Sequence, residues 1–253
     1  MQYAARTDRG TVREKNEDYV LADRERSIFF LADGMGGVPG GEIASSVAVE
    51  SAHRVLAEKL SATPDSEVPR LLAEAFAAAH SAVFKRGLEE PRLEGLGTTL
   101  DILLFRDSVA WCCHVGDGRI YLLGENGEER LSIDDNYASA LIRKGATDEM
   151  VPGWARHVLT QAVGVAEELY PEIREREVGE GDILLMCSDG LTGTVPDSLI
   201  GAIVRDFRDD LETAADRLVA AALERGGSDN ISVLLVSTRP DITLEKPALP
   251  LLQ

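Results

Sequence analysis

Apolar runs in this chain end in acid. Ser27 to Ala32 leads into Asp33-Gly34, Ile183 to Cys187 leads into Ser188-Asp189-Gly190, and Asp229-Asn230 opens directly into Ile231 to Val236. A fourth acidic station, Asn16-Glu17-Asp18, lies upstream. Short apolar runs bounded by turn signals read as buried strands, which places Asp33, Asp189 and Asp229 at strand boundaries. A single acid–glycine pair there is ordinarily a turn, the acid bending the chain and the glycine supplying a permissive backbone. Recurrence changes that reading. Buried carboxylates are costly unless paired or metal-bound, and too few conspicuous basic residues accompany these acids to pair them all. Strands that deliver such acids to one point require divalent cations to hold them together.

The rest of the chain supplies a scaffold for that convergence. Gly40 to Leu60 reads as a helix with Ala44, Val47, Ala48, Ala52 and Val55 on one face, and a second helix after Pro64 repeats the pattern with Leu72, Ala75, Phe76, Ala79 and Val83. Thr98 to Phe105, Val109 to Val115 and Arg119 to Leu123 are rich in β-formers and read as a meander, followed by a hairpin turn at Asn126-Gly127 before Glu128 to Leu131. From Asp134 to about Gly164 the pattern weakens into a flap, with a short helix at Tyr137 to Lys144 and a loop at Pro152-Gly153-Trp154. Glu172 to Val178 and Ile183 to Cys187 are strands, Pro196 to Asp206 and Asp210 to Arg225 are helices stopped by Gly226-Gly227, and Ile231 to Val236 is the last strand. The expected order is two strands, two helices, the meander, the flap, strands, two helices and a strand. Helices and antiparallel strands in separate blocks mean an α+β fold in one domain, residues 1–240, with the flap at about 134–164 and a proline-containing tail at 241–253.

Composition excludes several classes. With 44 acidic against 26 basic residues the net charge is −18, which argues against nucleic acid or an anionic membrane as partner. Cys112, Cys113 and Cys187 are odd in number and sit inside apolar segments, the pattern of a reducing compartment. The N-terminus carries early charge and no hydrophobic segment of a signal peptide, and no apolar run approaches the ~20 residues of a transmembrane helix. The expectation is a soluble cytoplasmic protein.

The ligand chemistry is all oxygen, with no Cys-x-x-Cys and no His-x-x-x-His, and so points to magnesium or manganese rather than zinc. Two such ions about 3.5–4 Å apart clamp an in-line displacement at phosphorus and acidify a bridging water. The full motif series is Arg13-x-x-Asn16-Glu17-Asp18, Asp33-Gly34-Met35-Gly36-Gly37 with Gly41-Glu42-x-Ala44-Ser45, Gly97-Thr98-Thr99, Val115-Gly116-Asp117-Gly118-Arg119, Ser188-Asp189-Gly190-Leu191 and Ser228-Asp229-Asn230. In this order the residues resemble the bacterial branch of the metal-dependent protein phosphatases of type 2C, from residue 5 to about 238.

That resemblance implies a four-layer αββα sandwich, two central antiparallel sheets flanked by helices, with metals in a cleft at one edge. It implies hydrolysis of phosphoserine and phosphothreonine by a metal-bridged hydroxide, using two core Mn2+ or Mg2+ ions and a third weaker one. Asp33 would bridge both core metals and the Gly34 carbonyl would serve the second. Asp189 and Asp229 would complete the first site. Glu17 would hold waters of the second with Asp18 in support, and Asp117 with Asp189 would hold the third ion. Arg13 would grip the substrate phosphate, a task suited to a guanidinium fork. Leu131 to Asp135 resembles the entry to the family's flap. The implied partners are phosphorylated proteins and an opposing serine/threonine kinase, and the implied state is a monomer. A catalytically weak pseudophosphatase acting as a signalling or binding module is the alternative, against which the full ligand set argues.

Two departures stand out. Val38 occupies a position where bacterial members commonly have histidine, and Gly118 replaces the usual serine of Gly-Asp-Ser-Arg. The residue matching the histidine that serves some relatives as a general-acid candidate is Met35, which leaves the leaving-group proton donor unassigned. His53 and His80 read as ordinary helix residues, His114 as structural, and His157, near the flap exit, as the one to test. Cys113 to Arg119 also forms a Cys-x5-Arg string, the spacing of cysteine-based phosphatases. That chemistry needs an anion-binding loop at a helix start and an acidified thiol; here Arg119 runs straight into a strand and Asp117 would put negative charge in the loop.

Overall fold

The computed structural model describes residues 1–35, 40–124, 127–165 and 168–239. Gly36, Gly37 and Val38 of the second acidic motif, Asn126 of the hairpin turn and the 241–253 tail lie outside the described residues. The strands are β1 (Gln2–Asp8), β2 (Asp18–Asp23), β3 (Ile28–Asp33), β4 (Leu100–Arg106), β5 (Val109–Val115), β6 (Arg119–Gly124), β7 (Gly127–Arg130), β8 (Glu172–Glu177), β9 (Ile183–Cys187) and β10 (Ile231–Ser237). The helices are α1 (Gly41–Lys59), α2 (Val68–Glu89), α3 (Tyr137–Arg143), α4 (Asp189–Thr192), α5 (Asp197–Asp206) and α6 (Leu211–Glu224).

The central strands are largely apolar because both of their faces are covered. In β3, Ile28, Phe30 and Ala32 pack with α1 and α2, whereas Phe29 and Leu31 face the second sheet. In β9, Ile183, Leu185 and Cys187 pack with α4, α5 and α6, whereas Leu184 and Met186 turn inward. β10 divides in the same way, with Ile231, Val233 and Leu235 outward and Leu234 and Val236 inward. Three apolar layers therefore separate four layers of structure, helices on sheet on sheet on helices. A fully buried Phe or Leu of this kind contributes roughly 1.5–3 kcal/mol.

The sheets run β1-β10-β9-β6-β7 and β2-β3-β4-β5-β8, and every strand pairing is antiparallel. The four-layer α+β architecture expected from the resemblance is present. The expected meander is not. β4 and β5 pair, but β6 leaves for the other sheet and joins β9, while β5 takes β8 as its second neighbour. The change of sheet occurs at Gly116-Asp117-Gly118, where Gly116 adopts φ +118°; β-propensity along a strand cannot register a change of sheet at a turn. Three strands rather than two precede α1, because β1 and β2 carry a mixed exposure pattern that shows no clean alternation. β6 and β7 pair as a hairpin, but Gly127, read as part of the turn, stands on β7 opposite Gly124. α3 forms with the Asn136 side chain accepting the Ser139 N–H at 2.9 Å as its cap.

One buried pair links the second sheet to the turn between sheets. Asp101 on β4 stands opposite His114 on β5, with Oδ1 and Nδ1 2.6 Å apart. Burial alone would lower the imidazole, but the Asp101 carboxylate outweighs it and lifts His114 to about 9. A group raised in the folded state contributes stability that is complete below its unfolded value of ~6.5 and lost as pH climbs through ~9. Relative to His114→Gln, the wild type is expected to lose roughly 3 kcal/mol between pH 6 and 10. Denaturant melts across that range measure it, and parallel profiles would contradict the ion pair.

Candidate metal centre

Antiparallel pairing lets strand ends of opposite direction reach the same edge of the sandwich. There the C-terminal ends of β3, β5 and β9 meet the N-terminal ends of β2, β6 and β10. The result is a cleft of about 510 Å³ lined by Arg13, Glu17, Asp33, Gly34, Met35, Thr99, Asp117, His157, Val158, Leu159, Asp189 and Asp229. Arg13 and all of the expected ligands except Asp18 line it. Asp18 lies behind, directly opposite Asp33 in the β2–β3 register and 9% exposed.

Hydrogen bonds from neighbouring residues fix each station. The Asp33 N–H donates to Thr99 Oγ1 at 2.9 Å, and its carbonyl accepts from the Thr99 N–H and the Thr98 hydroxyl. Ser188 Oγ donates to Asp18 Oδ2 at 2.9 Å and accepts from the Ser232 N–H. Asn230 staples the Arg9–Glu17 loop: its Nδ2 donates to the Arg9 and Lys15 carbonyls at 2.9 and 2.8 Å, and its Oδ1 accepts the Glu17 N–H at 2.8 Å. Ser45 on α1 donates to the Glu17 carbonyl at 2.7 Å. Thr98, Thr99, Ser188 and Asn230 belong to the motif series but receive no role from sequence; Ser188 and Asn230 were marked only by adjacency to an acid, and Thr98 and Thr99 only by their place in the series. Two glycines let the backbones close in. A Cβ at Gly34 would stand 2.2 Å from the Gly41 carbonyl oxygen, and one at Gly190 would stand 2.0 Å from the Asn230 carbonyl oxygen.

The electrostatics are those of crowded buried acids. Burial first, and then the carboxylates of Asp18, Asp189, Asp117 and Asp229, hold Asp33 well above the usual carboxylate range. Asp117 is pushed up to about 8 by burial and by Asp189. Asp18 is pushed up to about 7 by burial, against the hydrogen bonds of Ser232 and Ser188. Burial and Glu42 raise Glu17, and burial and Asp229 raise Asp189. Arg13 is the cation at the cleft, its Nη2 2.7 Å from Asp229 Oδ2.

This donor set fits hard divalent cations. It is oxygen throughout, carboxylates with the Gly34 carbonyl, and Asp18 Oδ1 and Asp189 Oδ1 are buried with no hydrogen-bond partner among the described residues. No three of the described Asp, Glu, His or Cys side chains stand as one closed ligand cluster. Several of the oxygens turn instead to protein donors: Asp229 to Arg13 and the Asn230 N–H, and Asp18 to Ser188.

The remaining residues singled out by sequence fall outside the acid cluster. His114 is sealed against Asp101, His53 pairs with Asp23 at 2.8 Å, and His80 accepts the Gly164 N–H at 3.0 Å. His157 lines both the cleft and a neighbouring cavity of about 420 Å³. Cys113 is fully buried on β5 and burial drives its thiol well up, while Arg119 lies on β6 in a bidentate pair with Asp134. The Cys-x5-Arg string spans two sheets and forms no anion loop.

The sequence model of the family Protein phosphatase 2C matches residues 8–230. The chain belongs to the protein phosphatase 2C family. The serine/threonine protein phosphatase PstP of Mycobacterium tuberculosis is 35% identical over 236 residues, which are 93% of this chain but 44% of that protein. The chain thus spans somewhat less than half the length of PstP. The serine/threonine phosphatase stp of Listeria monocytogenes is 32% identical, over 91% of this chain and 93% of its own length. The crystal structure of PstP superposes with a TM-score of 0.84 over 94% of this chain and 99% of that one. The PstP catalytic domain in complex with two manganese ions gives 0.81 at 35% identity, over 93% and 97% of the two chains. The protein phosphatase 2C fold thus accounts for both sheets and the helices that flank them.

Proposed function

We propose that the protein is a metal-dependent serine/threonine phosphatase that hydrolyses phosphoserine and phosphothreonine in other proteins. The observation that carries this reading is the meeting of Arg13 with Glu17, Asp33, Asp117, Asp189 and Asp229 at one cleft. Asp33, Gly34, Asp189 and Asp229 would hold two core Mn2+ or Mg2+ ions, with Glu17 and Asp18 supporting them and Asp117 and Asp189 offering a third position. Such cations supply positive charge for the transferring phosphoryl group and acidify water at neutral pH. Arg13 binds the phosphate at the mouth of the cleft. Its charge supplies local attraction for a phosphorylated substrate within an overall field of −18. Thr99, Ser188 and Asn230 hold the acids in place, so that little reorganisation accompanies substrate arrival.

Residues 1–240 form the phosphatase domain and 241–253 a tail. A bacterial signalling role opposite a serine/threonine kinase, acting as a cytoplasmic monomer, belongs to the same proposal; what supports it is that the named relatives are serine/threonine phosphatases of bacteria. No described helix is long and apolar enough to cross a membrane.

Turnover of p-nitrophenyl phosphate and of a phosphothreonine peptide tests the reading. Activity is expected with Mn2+, is abolished by chelator and returns when Mn2+ is restored, and Cys113→Ser leaves the rate unchanged. Absence of turnover at every Mn2+ and Mg2+ concentration, with Mn2+ still bound, would instead make the protein a binding module.

A further inference from the structure

Asp117 sits in a turn held on three sides. On the first side Gly116, at φ +118°, leans on Thr99, where a Cβ would meet Thr99 Cγ2 at 2.5 Å. On the second, the Asp135 N–H donates to the Gly116 carbonyl at 2.6 Å and Asp135 Oδ2 accepts the Gly116 N–H at 3.2 Å. The third side is Asp101. A Cβ at Gly118 would stand 2.2 Å from Asp101 Oδ2 and 3.4 Å from the Cys187 carbonyl oxygen. Asp101 is completely buried and its other oxygen is committed to His114 at 2.6 Å. Its carboxylate therefore cannot swing aside without breaking that bond. Asp101 Oδ2 and His114 Nε2 are themselves buried with no hydrogen-bond partner among the described residues. The pair is thus braced by packing against the turn rather than by a further polar network.

We infer that Asp101, locked by His114, is a positioning residue for the Gly116–Arg119 turn and its Asp117 carboxylate, and that glycine at 118 is its steric complement. A serine at 118 would need the volume that the Asp101 carboxylate fills, so the two positions change together. The steric coupling stands on geometry alone. The consequence for cation binding at Asp117 rests on the proposed function.

The test is a double-mutant cycle read by melting temperature in chelator and by calorimetric titration with Mn2+. Gly118→Ser alone is expected to lower the melting temperature by about 3–10 °C and to weaken the weakest Mn2+ site about tenfold, as loss of a residue supporting a ligand does. In an Asp101→Ala background the same substitution loses most of both effects. In an Asp101→Asn background, where the bulk remains, it keeps its cost in melting temperature. Asp101→Asn by itself weakens the weakest Mn2+ site and leaves the tighter sites unchanged. A Gly118→Ser protein that melts and binds Mn2+ like the wild type would overturn the inference, as would equal costs in the native and Asp101→Ala backgrounds. Should Asp101→Ala fail to fold, unchanged Mn2+ binding in Asp101→Asn overturns the positioning role. Failure of the phosphatase reading appears separately, as wild-type protein without turnover.

Discussion

Replacing Asp33 with asparagine is expected to lower kcat by ~10³-fold or more at saturating Mn2+, the equivalent of about 4 kcal/mol of transition-state stabilisation, while raising the melting temperature measured in chelator. Both effects have one cause. Asp33 is sunk among Asp18, Asp117, Asp189 and Asp229, and burial with these neighbours holds its carboxyl well above the usual range. A carboxyl raised in the folded state opposes folding once the pH exceeds its unfolded value, because ionisation is then easier in the unfolded chain. The neutral amide removes that penalty and removes the anionic donor together, a trade between stability and activity common at functional sites. The wild type in chelator should accordingly lose stability as pH rises from about 4, and the Asp33→Asn profile should be flatter. An unchanged kcat would remove Asp33 from the metal centre. A lower melting temperature would mean that repulsion among these carboxyls is not what the substitution relieves, since the backbone hydrogen bonds of Asp33 are kept in the variant.

Arg13→Ala is expected to lower kcat/KM about 10–100-fold, mainly through KM, and to weaken product inhibition by inorganic phosphate by a similar factor. Charge-assisted hydrogen bonds to an anion are worth about 1.5–3 kcal/mol. The guanidinium is already at the cleft mouth, 2.7 Å from Asp229 Oδ2 and half-exposed. Because that pair is partly solvated, its loss should cost little stability. Arg13→Lys should restore charge but only part of the affinity, since the two-pronged fork is lost. Phosphate inhibition unchanged in Arg13→Ala would show that the arginine serves Asp229 rather than the substrate.

Much of the site was legible because its chemistry is written in residue types that have few other uses. An apolar run ending in Asp33 or Asp189 is by itself ordinarily a turn, but its recurrence and the order of the seven motifs pointed to the family. The supporting residues were harder to see. Thr99 and Asn230 hold Asp33 and the Arg9–Glu17 loop through backbone groups, and such bonds depend on where a distant backbone passes rather than on local pattern. The error in the meander has the same origin. β5 and β6 look alike in composition, but one turn at Gly116 to Gly118 sends them to different sheets.

The sequence by itself determined most of the strands and helices and which acids carry the chemistry, because apolar periodicity and isolated carboxylates are local facts. It missed a strand ahead of α1 and the short helix α4, where the pattern is mixed or too brief. The tertiary structure alone decided which strand pairs with which, that Asp18 stands behind Asp33 rather than in the cleft, and that Gly118 faces Asp101. Those relations arise from long-range packing, where residues far apart in the chain compete for one volume, and no window of sequence contains both competitors.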